Sequence, residues 1–426
     1  MAYGGGTYSI QNKILGGCYF RFASTPQATA TIADRGMSAM ALDLNWGVGG
    51  KIFTVTAQEF YTDSMSIFGY EYSAPEMQAL RELFLHTKEA HLYRLNGGGE
   101  KATCNYGVAV HAGSRGNDLK VVIVADEDQY IVSLYMGTVL LDKQTVATAS
   151  ELVDNEWVTW NQVAELQAVA GMTFAGGTNG GASDSSAHQT FLNLLESYPD
   201  VNAVGYAGTD ETIKTLYTQW VKNMREDVGL RCQAVVFDKK ADSWNVVNVK
   251  NQVDLIPWVL GVQAGTAVNK SATNMVYDGE LTVNTAYTQR ELEKALKAGE
   301  FVLHRVGDEV RVLEDINSFV SATDTEGEVF KDNQTIRIID TYADAVANVF
   351  GAKYMGKVPN DEAGRISLWA DIVKILEQLE ELRAIENFDK EAVKVLQGDT
   401  KKAVLTKANF EVVNAMVRLY IDSTIQ

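Results

Sequence analysis

The last seventeen residues of the chain, Phe410–Gln426, have the pattern of a β-strand that no later element can pair with. Apolar and polar residues alternate with the period of two that is typical of a half-buried strand. The residues on the apolar face are Val413, Ala415, Val417, Leu419 and Ile421. An unpaired strand of this kind promotes aggregation unless another molecule supplies its partner. The pattern therefore predicts that this segment pairs with a second molecule.

The N-terminal residues have a similar character. Tyr3–Phe22 is rich in glycine and aromatic residues and lacks helical periodicity. We expect an extended arm of two short strands, separated by Gly16 and Gly17.

Composition restricts the class of protein. The chain has 426 residues, of which 46% are hydrophobic and 22% charged, so we expect several folded domains. No segment approaches the ~18 apolar residues of a membrane helix. The N-terminus lacks a signal-peptide pattern, so we expect a cytosolic protein without membrane contact. Cys18, Cys104 and Cys232 are isolated in the sequence, which argues against a disulfide framework and a zinc site.

The formal net charge of −18 argues against a nucleic-acid partner, because the phosphates would be repelled. Acidic residues are dense between Asp361 and Lys394. Two interpretations of this run stay open. It forms either a solvated helix face or a face that docks on a charged partner.

Periodicity and turn signals divide the chain into six parts and predict a multidomain α/β and β protein. The parts are an N-terminal extended arm (1–24), a β-rich α+β domain (25–100), a small inserted β-sandwich (101–165), an α/β domain (166–325), an α+β C-terminal domain (326–408) and a C-terminal strand arm (409–426).

Several local signals lie inside these parts. Val121–Ala125 is apolar on both faces and predicts a central strand that is covered on both sides. Asp184 predicts the N-cap of a helix through Leu195, and Thr288 with Glu291 predicts a capping box.

Motifs for catalysis are missing where an α/β domain would need them. The glycine clusters at 47–50 and 176–181 lack the order of nucleotide-binding loops, and no GxSxG elbow is present. His188 is expected to be a surface residue near a helix start. His86 and His91 are five residues apart, which places them on different faces of a helix. We therefore predict no catalytic residue, no cofactor and no metal, with an α/β hydrolase or nucleotide-dependent enzyme of unknown substrate as the alternative.

Short motifs along the whole chain resemble those of one protein family in their order and spacing. They are Gly4–Tyr8 with Asn12 and Lys13, Asp34–Gly36, Trp46–Val48, Ile67–Tyr70, Tyr93–Gly99, Gly116–Leu119 and Arg418–Thr424. Together they resemble the contractile-tail sheath proteins of bacteriophages and phage-derived tailocins, particularly those of phage-like elements in Gram-positive bacteria.

The resemblance implies a non-enzymatic subunit that stacks as hexameric rings around a tail tube and contracts to drive the tube through a bacterial envelope. It implies as partners further copies of the chain, the tail tube protein, and baseplate and tail terminator proteins. Assembly would take place in the host cytoplasm and yield the tail of a virion or of a headless tailocin. Residues 166–325 would resemble a subtilisin fold without catalytic residues, and residues 326–408 would face the tube.

In the family, both terminal arms reach neighbouring subunits and complete a shared β-sheet. In this chain the corresponding N-terminal residues are Thr7, Tyr8, Ile10 and Ile14, alongside the five apolar residues of the C-terminal strand. The candidate tube-facing residues are Glu377, Glu380 and Glu381.

Overall fold

The structure, a computed structural model, describes residues 4–7, 17–20, 35–181 and 183–425. These residues belong to two compact units. The larger unit contains residues 35–341, 380–387 and 410–425. The smaller unit contains residues 342–379 and 388–409, together with the described N-terminal residues.

In the part of the chain that the structure describes, most strands are short, and they are divided among seven sheets. In chain order they are β1 (Gly4–Thr7), β2 (Gly17–Phe20), β3 (Met37–Leu42), β4 (Ile52–Thr56), β5 (Glu89–Arg94), β6 (Lys101–Cys104), β7 (Gly107–Ala112), β8 (Leu119–Asp126), β9 (Gln129–Met136), β10 (Val139–Val146), β11 (Val158–Trp160), β12 (Val169–Thr173), β13 (Ala203–Tyr206), β14 (Gln233–Phe237), β15 (Val246–Val249), β16 (Glu300–Phe301), β17 (Leu303–Val306), β18 (Glu309–Val312), β19 (Ile385–Glu386), β20 (Lys394–Gln397), β21 (Val404–Lys407) and β22 (Glu411–Val412).

The α-helices alternate with the central strands and dominate residues 333–381. In chain order they are α1 (Ala57–Phe68), α2 (Gln78–Phe84), α3 (Ser185–Leu195), α4 (Glu211–Asn223), α5 (Ile256–Gly265), α6 (Gln289–Lys297), α7 (Asn333–Val349) and α8 (Glu362–Glu381). None of the helices in the described ranges is both long and apolar enough to cross a membrane.

A seven-stranded sheet forms the centre of the larger unit, with the order β16-β15-β14-β13-β3-β5-β4. All neighbours are parallel except the edge strand β4, which is antiparallel to β5. Three of these strands come from the segment predicted as a separate domain, 25–100. The direct pairing of β3 with β13 joins that segment to 166–325 in one sheet.

Helices cover both faces of this sheet. Successive side chains of a buried strand point to opposite sides, so both faces present apolar residues for helices to cover. In β3, Met40 packs on the face covered by α2 and α5, whereas Ala39 packs on the face covered by α3 and α4. Gly205 in β13 allows a close approach of α5, since a Cβ there would lie 2.6 Å from Cδ2 of Leu260.

An antiparallel β-sandwich is inserted between β5 and α3. Its sheets have the orders β10-β9-β8-β12 and β11-β7-β6 and enclose one apolar core. The predicted multidomain α/β architecture with a β-sandwich is confirmed. The prediction that Val121–Ala125 is covered on both sides was wrong. Val121 and Ile123 face the core, but Val124 is 52% exposed because β8 has solvent on its outer face.

The smaller unit is built around α8 and a β-hairpin. The inward face of α8 presents Leu368, Ile372 and Leu376, while Ile366 is exposed. The indole of Trp369 donates to the Val393 carbonyl at 3.1 Å. The hairpin that follows pairs β20 with β21 and has no third strand among the described residues.

The N-terminal strands β1 and β2 pair in parallel, with Gly4 opposite Gly17 and Thr7 opposite Phe20. Two short strands were predicted in this arm, and two are present, but Gly17, predicted to separate them, is the first residue of β2. The intervening residues 8–16 lie outside the described part of the chain.

Candidate inter-subunit surface

The C-terminal segment begins with a short antiparallel ladder in the larger unit. β22 pairs with β19, so that Val412 lies opposite Ile385. One further backbone bond joins the Val413 amide to the Ala384 carbonyl at 2.9 Å. From Val413 to Ile425 no residue belongs to a strand. The strand predicted over Phe410–Gln426 is therefore formed only at Glu411–Val412 in a single subunit, because the rest has no partner strand there.

Side chains from the first turn of α7 hold the next three residues. The amide of Gln334 donates to the Val413 carbonyl at 3.1 Å and accepts from the Ala415 amide at 3.0 Å. Asn414 and Thr335 are hydrogen-bonded through their side chains at 3.2 Å. Gln334 is 2% exposed, so these bonds are shielded from water. The chain path is thus fixed up to Ala415.

The same end of α7 is fixed to the body of the larger unit by a buried ion pair. Arg337 donates to the Asp315 carboxylate at 2.6 Å, and both side chains are almost fully buried. Burial alone would raise the pKa of Asp315, but Arg337 and donors from Gln263 and Ala272 outweigh it and hold the pKa below its usual value. Loss of either charge would leave its partner buried and unpaired, which typically costs ~3–5 kcal/mol.

Sequence reasoning missed these anchoring residues. Gln334 lies 79 positions from the nearer backbone group it binds, and Arg337 lies 22 positions from Asp315. No local periodicity joins residues so far apart. The polar run Asn333, Gln334 and Thr335 at the start of α7 was the only local signal.

Between Met416 and Ile425, Arg418 forms a side-chain ion pair with its own subunit. Arg418 donates to Glu314 at 2.7 Å, but its side chain is 64% exposed. Exposed pairs of this kind contribute ~0–1 kcal/mol. Arg418 therefore orients the segment only weakly.

Large apolar side chains are exposed along the remainder of the segment. Leu419 is 84% exposed and Ile421 is 77% exposed. The others are Met416, Val417, Tyr420 and Ile425. Clustered apolar exposure of this kind marks an interaction surface.

The predicted inter-subunit residues thus fall into two groups. Val413 is half-buried against its own subunit, and Ala415 is held there through its amide. Val417, Leu419 and Ile421 are exposed. At the N-terminus, Thr7 belongs to β1, whereas Tyr8, Ile10 and Ile14 lie outside the described residues.

The three candidate tube-facing residues lie near the C-terminal end of α8. Glu377, Glu380 and Glu381 are all exposed, and none forms an ion pair with a described residue. Their carboxylates are available to a partner.

The histidine that was considered for catalysis is a core residue and not, as expected, a surface one. His188 is 2% exposed, and its Nδ1 lies 2.9 Å from the Tyr217 hydroxyl. Burial lowers the pKa of His188. The nearby Asp184 carboxylate is occupied by the first turn of α3, where it accepts from the Ser186 and Ala187 amides. In the described ranges no group of three or more potential ligands could hold a metal ion.

Four family models match consecutive parts of the chain. They describe the tail sheath protein Gp18 domain III N-terminal region (35–95), the phage tail sheath protein beta-sandwich domain (97–179), the phage tail sheath protein central domain (181–318) and the phage tail sheath C-terminal domain (325–426). The chain belongs to the phage tail sheath family. It is a structural subunit of the contractile tail of a phage or phage-like particle, and not an enzyme.

Individual proteins are similar over nearly the whole chain. The phage-like element PBSX protein XkdK of Bacillus subtilis is 26% identical, with 98% of this chain and 99% of the relative covered. The sheath tail protein of Desulfitobacterium hafniense is 29% identical, with a TM-score of 0.79 and coverage of 93% and 100%. That of Listeria innocua is 27% identical, with a TM-score of 0.78 and coverage of 90% and 93%.

A more distant likeness concerns the fold alone. A chain of the anti-feeding prophage helical sheath in its contracted state is 14% identical, with a TM-score of 0.59 and coverage of 97% and 99%.

We predict that Gln334→Ala releases the C-terminal segment of this sheath protein without unfolding it. Two hydrogen bonds of ~1 kcal/mol each are lost, which corresponds to roughly tenfold or more in local opening. Hydrogen exchange followed by mass spectrometry should show faster exchange at residues 413–415. Gln189→Ala, on the exposed face of α3, is the matched control and should leave exchange there unchanged. Equal exchange at residues 413–415 in both variants would contradict the role of Gln334 as an anchor.

Proposed function

We propose that residues 416–425 of one sheath subunit form a strand on a neighbouring subunit, and that this link builds and maintains the sheath. The observation that carries the proposal is the contrast at Ala415. Up to that residue the segment is bound to its own subunit, and beyond it large apolar side chains are exposed with unpaired backbone.

The β20–β21 hairpin of the neighbour is the acceptor that fits best. A two-stranded sheet is at best marginally stable in water, and added strands stabilise it. Leu396 and Leu405 lie opposite each other and are 44% and 47% exposed, so an added strand would cover them. The second inter-subunit arm would consist of the described N-terminal strands, including Thr7, and the predicted arm residues Tyr8, Ile10 and Ile14.

A strand donated from one copy to the next is a heterologous contact. Repeated with a rotation and a rise, such contacts give an open helical lattice. We infer stacked hexameric rings around a tail tube, in which the arms stay connected while the compact units change packing. Release of an extended lattice into a contracted one would drive the tube through a bacterial envelope.

The same proposal supplies the partners and the finer domain roles. The subunit would bind further copies of itself, the tail tube, and baseplate and terminator proteins. The host cytoplasm would be the place of assembly. Within the six-part division, 166–325 would be a non-catalytic relative of the subtilisin fold, and 326–408 would face the tube.

The acidic end of α8 is the proposed tube contact. Glu377, Glu380 and Glu381 are exposed on one stretch of helix, and their charges are not neutralised by described residues. A basic surface on the tube protein would complement them.

We predict that Leu419→Asp abolishes polymerisation while the subunit stays folded. The side chain is 84% exposed in the subunit, so stability should change by no more than about 0.5 kcal/mol. In the lattice the new carboxylate would be buried without a partner. Negative-stain electron microscopy should show tubes for the wild type and none for the variant, with thermal denaturation as the folding check.

Val163→Asp is the matched control, since Val163 is 92% exposed on the inserted sandwich region. It introduces the same charge at an apolar surface position and should leave the tubes intact. Deletion of residues 416–426 removes the proposed strand but spares the anchor at Gln334. It should therefore reproduce the Leu419→Asp defect. Tubes formed normally by both Leu419→Asp and the deletion would overturn the proposal.

We predict that Glu377→Lys, Glu380→Lys and Glu381→Lys together weaken binding to the tail tube but leave tubes of the sheath protein alone intact. Reversed charges would repel a basic tube surface, and the defect should diminish as salt rises. Co-sedimentation with purified tubes measures it. Unchanged co-sedimentation at low salt would assign these residues to solvent.

A further inference from the structure

One face of the β20–β21 hairpin carries two cross-strand pairs, Lys394 with Lys407 and Leu396 with Leu405. These pairs share a face because successive side chains of a strand alternate in direction and the pairs are two residues apart. All four side chains are exposed. The outer face of the hairpin therefore consists of a lysine row and, next to it, a leucine row.

The inner face of the hairpin packs on the body of the smaller unit. Val395 and Val404 belong to it, and both are half-buried. Val404 lines a cavity together with Phe350 and Leu368. A strand added at either edge of the hairpin would continue both faces, so its alternate residues would meet either apolar side chains or the two exposed rows.

The lysine row is an unfavourable arrangement within one subunit. Lys394 and Lys407 lie directly opposite each other, and like charges in such positions destabilise a pair of strands. In the described part of the chain, neither lysine forms an ion pair. Such a row is notable in a chain with a formal net charge of −18. A carboxylate beside the row would relieve the repulsion, which indicates an acidic group on the added strand.

The exposed C-terminal segment contains one side chain that meets this need. Asp422 is the only acidic residue between Val413 and Gln426. It is exposed, and no ion pair joins it to a described residue. In an extended strand Asp422 shares a face with Tyr420, which is 88% exposed, and with Arg418, the only basic residue of the stretch.

The spacing of these residues matches the spacing of the rows. Tyr420 and Asp422 are two residues apart, as are the leucine and lysine rows. If Tyr420 covers the leucine row and the segment runs towards the lysine row, Asp422 lies beside the lysines. In the opposite direction Arg418 would lie there and add a third positive charge. The favourable direction is antiparallel to β20 and parallel to β21, so it is the same for both edges.

The same arrangement satisfies the other face of the segment. Val417, Leu419 and Ile421 alternate with the charged residues, so they would continue the inner face of the hairpin beside Val395 and Val404. A register shift by one residue would exchange the two faces and expose these apolar side chains.

We propose, on the basis of the strand donation proposed above, that Asp422 pairs with Lys394 and Lys407 of the neighbouring subunit and thereby selects the register and direction of the donated strand. A shift by two residues would place Tyr420 or Thr424 beside the lysine row and leave the charges uncompensated. The ion pair thus discriminates against registers that the apolar contacts alone would tolerate.

Charge exchange in the full-length protein tests the register. Lys394→Glu combined with Lys407→Glu should raise the protein concentration needed for tubes at least about tenfold, because Asp422 then meets two like charges. Asp422→Lys alone should show the same defect with the hairpin unaltered. Asp422→Lys added to the double lysine variant should restore tubes near the wild-type concentration. Sedimentation and negative-stain electron microscopy measure tube formation.

The controls separate register from general charge effects. Thr424→Lys, added to the double lysine variant, places a cation on the same face two residues further along and should not restore tubes. Lys401→Glu combined with Lys402→Glu reverses two exposed charges in the turn between β20 and β21, and it should change the required concentration by no more than about twofold. Thermal denaturation should give wild-type stability for every variant.

Three results would overturn the proposal. They are tubes of the double lysine variant at the wild-type concentration, failure of Asp422→Lys to restore its assembly, and equal restoration by Thr424→Lys.

Failure of the register is distinguishable from failure of strand donation. If Leu419→Asp and the deletion of residues 416–426 still prevent tubes, the donated strand stands and only the role of Asp422 is wrong. If both of those variants form tubes, the donation fails and the register with it.

Discussion

In the C-terminal segment of the sheath subunit, a buried anchor is followed by exposed apolar residues, and the proposed assembly depends on this contrast. Gln334 and Thr335 hold the chain to the start of α7, and a few residues later Leu419, Tyr420 and Ile421 are exposed. Full burial of six such side chains is worth on the order of 10 kcal/mol before the costs of association. A single subunit cannot gain that free energy, but a lattice can.

The rest of the larger unit provides the rigidity that such a link requires. α7 is fixed through Arg337 and Asp315, a pair that is buried among further hydrogen bonds. The sheet is covered on both faces, and the sandwich shares its core with Trp46.

Local signals in the sequence predicted much of the fold. The capping box of Thr288 and Glu291 and the N-cap at Asp184 are present as expected, because they depend on residues only a few positions apart. Signals that depend on tertiary context failed. Val124 has the same apolar character as Val121, and only the packing of the sandwich decides that it faces solvent. His188 is buried because Tyr217, 29 residues later, accompanies it in the core. The C-terminal segment was predicted as a strand, and within one subunit only its first residues form one, since the remaining backbone lacks a partner.

The most direct test of the central claim is a helical reconstruction of the polymerised protein by cryo-electron microscopy, at a resolution that traces the backbone. We predict that residues 416–425 are a strand hydrogen-bonded to the β20–β21 hairpin of a neighbouring subunit, with the Gln334 anchor retained in the donor. A polymer in which these residues fold back on their own subunit, or stay in solvent, would contradict it.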